Sequence, residues 1–215
     1  MLCLLNNKKA IYVLPRWLFL CLLLLGWLVL NGSAVARDNA PLSDSTGITD
    51  TPALAVGDWV FRQGTSLESY LIASFGAGDF SHIGMVVEVE PEIQILHATT
   101  DDLQTLSNQV LLSTWQQFTD VKLAKRVAVA RPLFLSAEQR QNISRSLLAE
   151  LGKPFVLAAR DKQHLYCTTI LADAIQSEYP AFNINWSWLE QPLLRGEYLH
   201  PEAFAAHHEL DWVLP

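Results

Sequence analysis

From Trp17 to Leu30 the chain reads WLFLCLLLLGWLVL, an unbroken apolar run that decides which residues remain to build a fold. Lys8, Lys9 and Arg16 precede it, Asn31-Gly32-Ser33 breaks it, and Ala34-Val35-Ala36 follows as a small-residue cleavage site. A basic leader, an apolar segment and an A-x-A site in that order describe a secretory signal peptide over residues 1–36. The run is shorter than the roughly 17–25 apolar residues of a bilayer-spanning helix. The alternative is an uncleaved anchor, because Ala10 to Leu14 lengthen the stretch if Arg16 snorkels. Cleavage is the expectation: a mature chain starting at Arg37 and exported, periplasmic in a Gram-negative host.

Residues 37–53, RDNAPLSDSTGITDTPA, are polar and read as a flexible leader. Residues 54–215 are then left for one domain, a length that suits a single core. Residues 1–36 hold three basic side chains and no acidic ones, so 12 Lys and Arg face 22 Asp and Glu beyond them. A net charge of −10 argues against nucleic acid and anionic lipid surfaces as electrostatic partners. Cys3 and Cys21 fall in the signal segment, leaving Cys167 with no partner for a disulfide within the chain. A buried, inert thiol is the plain reading of such a residue. Its surroundings point elsewhere.

The patterning predicts an α+β domain of antiparallel strands packed against helices. Gly57-Asp58 turns into a short strand at Trp59-Val60-Phe61, and Ser66 to Phe75 has helical spacing. His82 to Glu90 is dense in β-branched residues and pairs with Ile93 to Ala98 across a Pro91-Glu92 turn. A short helix is expected near Ser113 to Phe118 and a strand from Val121 to Arg131. Ser136 and Gln139 form an S-x-x-Q capping box for a helix running to about Leu151, with Gly152 after it. A second long helix occupies Tyr166 to Tyr179, and the Trp-rich tail from Asn183 reads as irregular, with a turn at His200-Pro201.

Cys167 lies where the chain enters that second helix. Unpaired N–H groups at a helix start favour a thiolate and can hold an oxyanion. A cysteine nucleophile needs an imidazole within hydrogen-bond reach. His82 opens its strand after a Gly-rich loop, and His97 lies on the returning strand, on the same sheet face. A two-residue turn would pair Val86 with His97 and leave the histidines four residues apart along the strand, roughly 13 Å. Direct contact therefore requires a wider loop or a bulge. Glu88 and Asp101 are the acidic alternatives for orienting His82. His164-x-x-Cys167 resembles a metal pair but has no third and fourth ligand at zinc-like spacing. No metal and no cofactor are called for.

Taken together, Gly57-Asp58-Trp59-Val60-Phe61, Ser81-His82-Ile83-Gly84-Met85-Val86, Leu96-His97-Ala98 and Tyr166-Cys167-Thr168-Thr169 resemble the YiiX/YebB-like hydrolases. These are circularly permuted relatives of the NlpC-type papain-fold peptidases, with histidine before cysteine in the chain. The resemblance covers roughly residues 54–212. It implies a permuted papain-like fold with Cys167 as nucleophile, His82 as base and His97 as the third polar residue. It also implies amidase or peptidase activity on a peptide-like substrate, such as cell-wall peptide. Many relatives carry Tyr-Cys-Ser-Glu where this chain carries Tyr-Cys-Thr-Thr, which leaves the substrate open. Two alternatives stand beside the amidase: ester or lipid acyl chemistry, as in the related lecithin retinol acyltransferase arrangement, and a non-catalytic amino-acid or peptide-binding module.

Overall fold

A computed structural model describes residues 43–44, 53–100, 102, 108–192 and 194–215. The expected signal peptide lies outside the described residues, as does the 37–53 leader apart from Ser43, Asp44 and Ala53. The strands are β1 (Ser43–Asp44), β2 (Trp59–Gly64), β3 (His82–Glu88), β4 (Gln94–Thr99), β5 (Gln109–Thr114), β6 (Ala124–Pro132), β7 (Ser187–Glu190), β8 (Arg195–Tyr198) and β9 (Leu210–Leu214). The helices are α1 (Leu67–Gly76), α2 (Trp115–Phe118), α3 (Ala137–Leu148), α4 (Cys167–Glu178) and α5 (Pro201–Ala205). Among the described residues no helix is long and apolar enough to cross a membrane.

The main sheet is antiparallel and runs β1-β6-β2-β3-β4-β5, with β9 also paired to β6. Strand alternation sorts its side chains into two layers. Trp59, Phe61, Ile83, Met85, Leu96 and Ala128 face α3 and α4, meeting Ile143, Leu147, Ile170 and Ile175 in one core. Val60, Val86, Ile95, Val127 and Val129 point the other way and pack on Trp115 and Phe118 of α2. The Gly57-Asp58 turn is fixed by charge. The buried Asp58 carboxylate accepts from Arg131 Nε at 2.7 Å, Arg131 Nη2 at 2.8 Å and the Ala55 N–H at 2.8 Å.

The α+β class and the antiparallel sheet against helices agree with the sequence expectation. The predicted capping box of α3 is present in both directions between Ser136 and Gln139. That helix ends at Leu148, three residues early, because the chain turns through 149–152 and Gly152 takes a left-handed φ of 78°. Two differences are larger. The segment before α2 holds β5, which pairs along the full length of β4. The tail, expected to be irregular, contains the β7–β8 hairpin, α5 and β9. These strands have four to six residues each, too few for alternation to stand out from their Trp and Leu neighbours.

Candidate active site

His82 is the first residue of β3, and the loop before it is tied to β2. The Ser81 N–H donates to the Arg62 carbonyl at 3.0 Å, and Ser81 Oγ accepts from the Gly64 N–H at 2.8 Å. β3 meets β4 with Met85 opposite Leu96, Val86 opposite Ile95 and, after a bulge, Glu88 opposite Gln94. The two-residue turn is thus replaced by a longer connection, and His97 shifts two residues toward His82. A shift of two keeps both side chains on the face expected for them. It turns a 13 Å separation into a diagonal neighbour pair, within reach of two rings.

Gly84 makes that approach possible. A Cβ built there would lie 2.6 Å from Ile95 Cγ2, 3.0 Å from the Leu96 carbonyl and 3.2 Å from His97 Cβ. In the space left by hydrogen, His82 Nε2 and His97 Nδ1 come to 2.8 Å, and His97 Nε2 lies 2.9 Å from Ser113 Oγ. The rings are at 80° to one another. Both lean on Phe118, with centroids at 5.6 Å for His82 and 5.1 Å for His97. The result is a hydrogen-bonded chain running from Ser113 through two imidazoles, buried to 1 % exposure at His97 and 8 % at His82.

A buried ion pair flanks this chain. Arg62 Nη2 donates to both Asp102 oxygens at 2.9 and 2.8 Å, and Nη1 donates to the Phe118 carbonyl at 3.2 Å. Thr99 Oγ1 adds a third bond to Asp102, at 3.0 Å. Asp102 Oδ2 lies 3.8 Å from His97 Nδ1. Burial, aided by the Arg62 charge, holds His82 well below the ordinary histidine value. Burial likewise lowers His97 to about 3, although Asp102 pulls the other way. The neighbouring His and Arg side chains overcome burial at Asp102 and hold it at about 2. At neutral pH the site therefore contains two neutral rings beside one compensated ion pair.

Cys167 is the first residue of α4, as expected. Thr169 Oγ1 accepts from the Tyr166 N–H at 2.9 Å and closes the helix start. The backbone N–H groups that act on the thiol are those of Ile83, Thr168 and Cys167 itself. Those N–H groups favour the thiolate, but burial outweighs them and pushes the thiol up to about 11. A ready-made thiolate, expected from the helix start alone, is thereby corrected. Among the described residues no hydrogen bond joins Cys167 to His82. The His82 ring leans on Phe118 and uses Nε2 for His97.

The three ligand-type residues brought together are His82, His97 and Asp102, whose donor atoms lie within 4.8 Å of one another. Of the acidic alternatives, Glu88 is exposed at the end of β3, and Asp101 lies outside the described residues. The acid that reaches the site is its neighbour Asp102. Arg62, Ser113 and Phe118 also belong to it. The Arg at the polar end of β2 was the one available signal, because a charge on an otherwise apolar strand needs a buried partner. His164 bonds the Lys162 carbonyl at 2.8 Å and shares no ligand cluster with Cys167 among the described residues.

No protein-family model matches the sequence, and no curated protein matches it. A solved structure, that of the metalloprotein YiiX from Escherichia coli O157:H7, is similar to this chain with a TM-score of 0.59 at 20% identity. The match covers 73% of this chain and 94% of that one. At that identity the likeness concerns the fold: this chain shares the mixed α/β architecture of YiiX, an antiparallel sheet backed by helices, over nearly the whole of the YiiX chain.

Proposed function

We propose that the protein is an exported thiol hydrolase of the permuted papain-like arrangement, with Cys167 as nucleophile, His82 as base and His97 orienting His82. The observation that carries this reading is the 2.8 Å bond between His82 Nε2 and His97 Nδ1. It commits Nε2 of His82 to His97 and leaves Nδ1 as the nitrogen that would take the thiol proton. Both partners are neutral at neutral pH, so the proton moves during attack rather than before it. Sγ bonds to the acyl carbon while the thiol proton passes to His82 Nδ1. The carbonyl electrons shift to oxygen, where helix-start N–H groups stabilise them. Collapse returns the proton from His82 to the departing amine or alcohol. Water, deprotonated by His82, then cleaves the thioacyl bond and restores the thiol.

An amide of a peptide-like substrate is the leading class, and an ester or lipid acyl group is the alternative. Mass spectrometry after exposure to p-nitrophenyl esters and to peptide amides tests the reading. The expected result is one acyl adduct on Cys167, absent in Cys167→Ala and strongly slowed in His82→Ala. No adduct with any acyl donor, or equal rates in His82→Ala, overturns it.

A metal centre at His82, His97 and Asp102 is the second reading, favoured by the donor cluster and by the metalloprotein likeness. The arrangement fits it poorly. Two imidazole nitrogens on one tetrahedral zinc stand roughly 3.3 Å apart, given bonds of about 2.0–2.1 Å. Here they stand at 2.8 Å, and Asp102 already satisfies Arg62 and Thr99. A dication would also meet the Arg62 charge.

A further inference from the structure

Ser113 ends the hydrogen-bonded chain through the two imidazoles, and the proposed function gives it no task. It lies on β5 opposite Ile95, while His97 lies opposite Leu111. Odd positions of β4 and β5 share a face, so Ser113 is the diagonal neighbour of His97. The strand that carries it is fixed on both sides. Thr114, the next residue, caps α2 through a reciprocal box with Gln117. Two residues past its start, the Val110 N–H donates to the Lys153 carbonyl at 2.9 Å and the Val110 carbonyl accepts from the Gly152 N–H at 2.9 Å. Ser113 is 2 % exposed, and fully buried Phe118 packs its ring on His97. Solvent is thus a poor substitute for the serine hydroxyl.

The direction of the chain follows from what His82 has to do. To take the thiol proton at Nδ1, the neutral His82 ring must carry its own proton on Nε2. That N–H donates to His97 Nδ1 at 2.8 Å, so His97 Nδ1 must be an acceptor. A neutral His97 that accepts at Nδ1 carries its proton on Nε2, and Ser113 Oγ stands 2.9 Å from that nitrogen. One group pulls the other way. Asp102 Oδ2, 3.8 Å from His97 Nδ1, favours a proton on Nδ1. In that form His97 donates to His82 Nε2, and the His82 proton sits on Nδ1, where it blocks the attack. Arg62 and Thr99 draw on the same carboxylate and weaken its pull. We infer that Ser113 is a positioning residue: by accepting from His97 Nε2 it holds His97, and through it His82, in the tautomer that leaves His82 Nδ1 open. A hydroxyl suits this task because it can accept while its own hydrogen turns elsewhere. The exchange between the two forms moves one proton within each ring and leaves both rings neutral. The inference rests on the roles proposed for Cys167 and His82.

The test uses the full chain with histidine labelled isotopically at the ring nitrogens, and His82→Gln and His97→Gln assign the signals. Nitrogen NMR separates the Nδ1–H from the Nε2–H form of each ring. In wild type both rings should be Nε2–H. In Ser113→Ala the buried His97 N–H loses its acceptor, both rings should pass to Nδ1–H, and acyl adduct formation on Cys167 should slow by about 10- to 100-fold. Ser113→Thr keeps the hydroxyl and should restore both the tautomers and the rate. Circular dichroism confirms that the variants fold, and the wild-type spectrum stands without them. His82 in the Nδ1–H form in wild type, or tautomers unchanged in Ser113→Ala whatever its rate, overturns the inference. The expected tautomer shift with no adduct in any protein, wild type included, refutes the hydrolase reading instead and leaves the hold of Ser113 on His97 in place.

Discussion

Acidification from pH 7.5 to 5 should weaken the fold, with two rings responsible for most of the loss. His82 and His97 are held neutral by burial, His97 down to about 3. In the unfolded chain both titrate near 6.5. Between these values the unfolded state binds protons that the folded state refuses, so stability falls as pH falls through 6.5. At pH 5 the His97 ring alone costs about 2 kcal/mol, and His82 adds to the loss in the same direction. That is a large part of a typical 5–15 kcal/mol. The His97 share corresponds to a fall in Tm of roughly 4–8 °C for a domain of this size. Asp102, held at about 2, acts in a different window: its contribution is intact above its ordinary value of 3.8 and is lost only as pH drops below it. Burial also lowers His200 and His207, so wild type alone is not diagnostic. The decisive assay compares wild type with His82→Gln/His97→Gln by thermal and urea unfolding at pH 7.5 and 5, with chelator present. The double variant should lose at least about 2 kcal/mol less than wild type over this interval. Identical pH dependence in the two proteins would refute the claim that these rings are neutral and buried.

Arg62→Met should destabilise the fold by about 3–5 kcal/mol by leaving the Asp102 charge buried and unpaired. Adding Asp102→Asn should recover much of that loss in urea unfolding; no recovery would mean that Arg62 acts through packing alone. Gly84→Ala should cost about 1–3 kcal/mol by overpacking against Ile95 and the β4 backbone. In NMR spectra it should also separate the coupled ring signals of His82 and His97, whereas unchanged signals would remove the role given to this glycine. Zinc at tenfold excess should raise Tm by less than 1 °C in wild type, since Arg62 holds Asp102; a rise of several degrees, matching ligand-linked stabilisation, would favour the metal reading.

Much of this arrangement could be read in advance because local chemistry dictates it. The α3 capping box, the α4 start at Cys167 and the placement of His82 and His97 on one sheet face follow from short-range spacing. Contact between the histidines did not follow, because it depends on a bulge near Val87 and a connection longer than two residues. Neither leaves a mark in the Glu90-Pro91-Glu92 sequence. Asp102 was missed by one position. Asp101 and Asp102 are equivalent as sequence, and only Arg62, 40 residues away and across the sheet, selects between them. The thiol was misjudged for a different reason. Helix-start N–H groups are visible in sequence, whereas the burial that outweighs them is a property of the assembled core.

The tail, expected to be irregular, supplies a contact to the turn that carries Cys167. Both residues flanking Cys167 grip Leu199. The Tyr166 hydroxyl accepts from the Leu199 N–H at 3.0 Å, and Thr168 Oγ1 donates to the Leu199 carbonyl at 2.8 Å. Leu199 directly follows β8 and leads into α5, so the chain from β8 to α5 is fastened to the turn that carries the sulfur. Thr169 closes the same turn on Tyr166. Thr168 and Thr169 therefore spend both hydroxyls inside the protein. A glutamate at 169 would bring an anion to a site with no exposure, close to a thiol that burial already keeps protonated. In this chain the polarity after Cys167 serves to hold the sulfur-bearing turn in place, and under the proposed function substrate recognition falls to groups outside that turn.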